Sequence, residues 1–211
     1  MNKKKGSILM MGGLLLMAAA LFLTCYNLWE ERRAEASASA ALEQILPELS
    51  AAEAPVPPPE EVQEAGIPDD LLDPEMEMPT VETDGQAYIG VLAIPALELE
   101  LPVISQWSYP HLKIAPCRFE GSAYSDDLII AGHNYRSHFG GLKNLRPGDE
   151  VTFTDAEGNV FRYTVAELET LDGNDLEGLE SGEWDLTLFT CTLARTTRVV
   201  VRCVRESGNG V

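Results

Sequence analysis

Positive charge is scarce in this chain. Its 211 residues carry 15 Lys and Arg against 34 Asp and Glu, a formal net charge of −19. A nucleic-acid binder needs a basic footprint to meet the phosphates, so that class of partner is excluded. Zinc-type cysteine pairs are missing, because Cys25, Cys117, Cys191 and Cys203 stand far apart. There is no glycine-rich loop to cradle a phosphate and no internal repeat. Neither a cofactor nor a bound metal is expected. The acids Glu167, Glu169, Asp172 and Asp175 lie near one another in sequence, but they read better as a solvated acidic loop than as a cation site.

Charge is also unevenly placed. Lys3, Lys4 and Lys5 open the chain, and Ser7 to Leu28 then runs for 22 residues without a charge. At about 1.5 Å per residue this run crosses a bilayer's hydrocarbon core. Tyr26 and Trp29 sit at its far end, as interfacial aromatics do. The preceding lysines put the amino terminus in the cytoplasm and the rest of the chain outside. A cleaved signal peptide is the competing reading, with Ala36, Ser37 and Ala38 as cleavage site. That site lies beyond Glu30 to Arg33, which favours a retained anchor over residues 1–29.

Residues 30–86 read as a stalk or linker. Glu30 to Leu49 is rich in Ala and Glu and extends the helix as a solvated, semi-rigid rod. Ala54 to Glu60, APVPPPE, is extended and polyproline-like. Glu61 to Asp84 is acidic with few aromatics and is expected to be disordered. From residue 87 the pattern changes to short β-type runs. Eight strands are expected: Tyr88–Ile94, Leu101–Ile104, Ala115–Glu120, Leu128–Ala131, Glu150–Thr154, Val160–Glu167, Leu186–Thr190 and Thr196–Val204. Pro95 and Pro102 give the first two an edge character. Ser108–Lys113 and His138–Leu145 read as helical turns, and Leu168–Glu183 as an acidic loop. Eight short strands without a long amphipathic helix predict an all-β barrel over 87–206, followed by a short tail at 207–211.

Three residues stand out chemically. Cys191 ends one strand, where its sulfur is held rigidly yet exposed. Arg198 opens the next strand, with Arg195 and Arg202 as rivals, and a nearby cation favours the reactive thiolate. His133 directly follows the apolar strand LIIA, whereas His111 and His138 sit in polar turns and read as solvated. A Cys, a His and an Arg at strand ends form a constellation for nucleophilic catalysis. Cys117 and Cys203 read as core thiols, a disulfide between them being the alternative.

The motif TLFTC at Thr187–Cys191, Arg198 before VVV, and the upstream IIAGH at Ile129–His133 resemble the sortases, cysteine transpeptidases of Gram-positive surfaces. YIGVLAIPALELELPV at Tyr88–Val103 and HFGGLKNLRPGDEV at His138–Val151 agree with the resemblance. It implies an eight-stranded sortase-like β-barrel. Cys191 is then the nucleophile, His133 the general acid and base, Arg198 the oxyanion donor, and Thr190 a substrate-positioning residue. The implied partners are the LPxTG-like sorting-signal peptide of a surface protein, cut between Thr and Gly, and an amine acceptor on a peptidoglycan precursor or a pilin lysine. The chain departs from the family in two places. Only six residues separate Cys191 from Arg198. Asp73 and Pro74 are followed by Glu75, where some pilin-building sortases carry an aromatic in a lid. Two other readings stay open on the residues alone: an extracellular cysteine protease that uses water, and an inactive wall-binding module.

Overall fold

The computed structural model describes residues 3–51, 76–192 and 196–206. It begins with a single helix, α1 (Lys3–Ala51), that carries the uncharged run without a break into the Ala/Glu-rich segment. Its apolar part is long enough to cross a membrane and is not buried by the rest of the chain. The proline-rich segment and the Asp73–Pro74–Glu75 sequence lie outside the described residues.

Nine strands follow: β1 (Val81–Thr83), β2 (Gln86–Ile94), β3 (Leu99–Ile104), β4 (Cys117–Glu120), β5 (Leu128–Ala131), β6 (Glu150–Asp155), β7 (Val160–Asp172), β8 (Leu186–Cys191) and β9 (Thr197–Arg205). They form one sheet in the order β1-β2-β3-β4-β5-β8-β9-β7-β6. An additional β2–β6 pairing closes it into an eight-stranded barrel, with β1 left outside. The eight barrel strands are those expected from the sequence. The bulge that lets β2 change partners sits at Gly90, whose φ is +152°. A side chain there would collide with the Thr154 carbonyl of β6, so only glycine permits the closing pair.

Alternation decides which side chains fill the barrel. Leu92, Ile94, Val103, Leu128, Ile130, Phe153, Phe161, Tyr163, Leu186, Leu188 and Val201 form its interior. A smaller cluster, Ile129, Ala131, Leu179, Phe189 and Val200, covers the outer face of β5, β8 and β9. Helix α3 (Leu176–Glu180) supplies Leu179 to that cluster.

Three expectations are corrected. Strand β1 lies in the segment read as disordered, because Val81–Thr83 finds a partner in Gln86–Tyr88 across the turn at Asp84 and Gly85. Strand β7 runs to Asp172, so Leu168–Asp172 is not loop; it pairs with Thr197–Val201 of β9. The second half of α1 is not solvated all round. Ala34, Ala38, Ala41, Ile45 and Leu49, spaced at helical intervals, are all buried. Ala41, Ile45 and Leu49 pack on Tyr88, Val91, Ile104, Ala115 and Cys117 of the barrel's outer wall. Strand β3 meets β4 only at Ile104–Cys117, and α1 contacts β3 beside that short pairing.

Candidate active site

The site is built by three neighbouring strands. β5 and β8 are parallel, with Ala131 opposite Phe189, and the Gly132 amide donates to the Phe189 carbonyl at 3.0 Å. His133 is therefore delivered to the level at which Cys191 ends β8. β8 and β9 are antiparallel, and Cys191 is the cross-strand partner of Arg198. Directly opposed residues share a face, so Cys191 and Arg198 point to the same side of the sheet. The structure thus brings His133, Cys191 and Arg198 together on adjacent strands at one rim.

Alternation along β8 places Leu186 and Leu188 in the interior and Phe189 on the outer wall. Cys191 shares the outer face and is exposed. Thr190 shares the inner face and is buried, and its hydroxyl meets no hydrogen-bond partner. Cys117 and Cys203 are buried free thiols in different clusters, the outer wall and the interior, so the disulfide alternative does not form. Desolvation pushes both thiols up to about 12, which leaves them inert at neutral pH.

The arginines separate by what they bind. Arg202 is only 2% exposed and is fully engaged. It donates to Glu169 Oε1 at 2.7 Å, to Thr187 Oγ1 at 3.1 Å, and to the carbonyls of Leu179 and Gly178 at 2.7 and 2.6 Å. It fastens α3 to the sheet. Arg198 lies with its guanidinium 5.4 Å from the centroid of the Phe189 ring, while Nε and Nη1 are buried without hydrogen-bond partners. Those two donors are available to an acceptor that arrives at Cys191. Arg195 lies outside the described residues. Of the acidic group, Glu169 is taken by Arg202, Asp172 accepts from the Asn174 amide, and Asp175 caps α3 through the Gly178 amide.

The histidines separate too. His111 sits on the short helix α2 (Tyr109–Leu112), where Nδ1 lies 2.8 Å from the Gln106 carbonyl. His138 is not solvated, contrary to expectation. It is fully buried, and desolvation lowers it to about 4, so it is neutral at physiological pH. His133 stacks flat on Tyr135, centroids 3.8 Å apart, and Tyr135 in turn meets His138 edge-on at 5.6 Å. Tyr135 was not singled out in the sequence, and His138 was weighed there only as a solvated histidine. Gly132 keeps this loop close to the barrel, since a Cβ there would strike the Phe139 ring at 2.4 Å.

Comparison with known proteins bears on the family and the fold. Residues 92–206 match the family model described as the sortase domain. Over 121 residues the chain is 26% identical to sortase A of Bacillus anthracis, an alignment that covers 54% of this chain and 57% of that relative. The chain therefore spans little more than half the length of the curated relative it matches. Sortase C1 of Streptococcus agalactiae superposes with a TM-score of 0.52 at 28% identity, over 61% of this chain and 72% of that one. Sortase A of Corynebacterium diphtheriae shares the fold with a TM-score of 0.53 at 19% identity, over 82% and 85% of the two chains.

Proposed function

Since this chain belongs to the sortase family, we propose that it is a membrane-anchored cysteine transpeptidase acting on an LPxTG-like sorting signal. The observation that carries the reading is the rim itself: Cys191 opposite Arg198, with His133 delivered beside them by the parallel strand β5. The Cys191 thiolate attacks the Thr–Gly carbonyl carbon and forms a C–S bond. Charge develops on the carbonyl oxygen, where the free Arg198 donors stabilise it. The C–N bond then breaks, His133 protonates the departing amine, and a thioacyl enzyme remains. An incoming amine, from a peptidoglycan precursor or a pilin lysine, gives up its proton to His133 and displaces the sulfur.

Anchorage follows from α1, whose uncharged run is flanked by Lys3–Lys5 on one side and the barrel on the other. The amino terminus is then cytoplasmic, and the barrel faces the cell wall.

The test is mass spectrometry of the full chain in detergent micelles with an LPxTG-type peptide and triglycine. A peptide–triglycine product that disappears in Cys191→Ala is expected. Cleavage without transfer would move the assignment to a hydrolase. No reaction, with Cys191 also inert to alkylation in the folded protein, would leave a binding module.

A further inference from the structure

The membrane-proximal turns of α1 do more than connect. Glu31 lies 105 residues from Arg136, yet its carboxylate accepts the Arg136 backbone amide at 2.9 Å. Glu30 meets Lys113 Nζ at 2.9 Å, just beyond α2, and is close enough to His133 for their charges to interact. One turn later Ala34 is 1% exposed, and its backbone lies against His138. Arg136 and His138 belong to the same short loop as His133. That loop carries the His133–Tyr135–His138 ring ladder and is followed by the 3-10 helix Phe139–Asn144. The loop's inner side is fixed by Gly132 against Phe139, and its outer side is covered by α1.

We propose that Glu31, with Glu30 beside it, is a positioning residue that holds the His133 loop in its working geometry from the membrane-proximal helix. The proposal rests on the sortase reading for its kinetic consequence but not for its structural one. The acceptor of the Arg136 amide comes from a different element of the fold. Losing that acceptor frees the segment that aims the imidazole. Misplacement of a catalytic group by about 1 Å can cost on the order of 100-fold in rate, so a partial loosening should cost about tenfold.

The experiment uses the full chain in nanodiscs and compares Glu31→Ala, Glu31→Gln and the exposed helix control Glu43→Gln. Two readouts are taken: transfer kinetics with an LPxTG-type peptide and triglycine, and hydrogen exchange over residues 134–138. Glu31→Ala should lower kcat about tenfold with KM unchanged and should speed exchange in the loop. Glu31→Gln retains an oxygen that accepts from the Arg136 amide, so it should restore both. Glu43→Gln should match the parent. Unchanged exchange and kcat in Glu31→Ala would overturn the proposal. So would faster turnover in that variant, which would make the helix a cover over the site. If the parent transfers nothing, the assigned reaction fails; loop exchange that rises in Glu31→Ala and recovers in Glu31→Gln still establishes the tether.

Discussion

At the residue scale, identical side chains diverge by surroundings. Arg198 and Arg202 sit four positions apart on one face of β9, yet one presents buried free donors and the other is saturated. Their variants should therefore fail differently. Arg198→Ala should reduce kcat by about 100-fold or more while leaving the urea midpoint within error of the parent. Arg202→Ala leaves the Thr187 hydroxyl and the Gly178 and Leu179 carbonyls without their donor, and should cost about 1–3 kcal/mol in urea unfolding. Alkylation should discriminate in the same way: at pH 8 in the native state, iodoacetamide should label Cys191 and spare Cys117 and Cys203, as peptide mapping would show. His138 adds a pH dependence. Its folded value near 4 lies below the unfolded 6.5, so the unfolded chain binds more protons in between. Stability falls as pH drops from about 6.5 to about 4 and levels off below, a loss on the order of 3 kcal/mol. The destabilisation of the parent relative to His138→Gln should grow across that window in urea melts. His133, Cys191 and Arg198 were legible in sequence because each borders a strongly β-forming run. His138 was not, because what buries it is a helix about a hundred residues earlier.

At the element scale, two of the three misread segments fail for opposite reasons. Leu168–Asp172 carries too much charge to look like a strand, yet β9 supplies a complete set of backbone partners and Arg202 engages Glu169. Sheet pairing overrides a weak local preference. The α1 stripe is hidden by its composition. Three of its five buried residues are alanine, which adds little to a hydrophobic pattern although it allows close helix–barrel approach. Ile45 is the one large residue of the five that is fully buried, so Ile45→Ala should destabilise the docked helix by about 2–5 kcal/mol, read from the loss of protection at α1 amides in hydrogen exchange. Helix and barrel share two apolar contacts, Ala38 with the main core and Ala41, Ile45 and Leu49 with the outer wall.

At the scale of the whole molecule, the barrel was legible because its eight strands are short runs rich in β-branched and aliphatic residues and its turns carry Gly, Pro, Asn and Asp. Closure was not, since it depends on Gly90 admitting the Thr154 carbonyl at a point 64 residues distant in sequence. The barrel wall beneath α1 includes Tyr88, Val91 and Ile104, so a chain cut back to residues 84–206 exposes that patch. Such a fragment should melt below a chain of residues 30–206, and should bind a hydrophobic dye that the longer one does not. The unbroken course of α1 has one more consequence. On the proposed topology, the last residue before the first charge, Trp29, and Glu31 are two positions apart, about 3 Å of rise. The catalytic rim is thus kept at nearly constant altitude above the lipid and shares the tilt of the rod. Encounters become a lateral search within a thin layer, in which a substrate that diffuses in the same bilayer meets the enzyme far more often than one arriving from the medium.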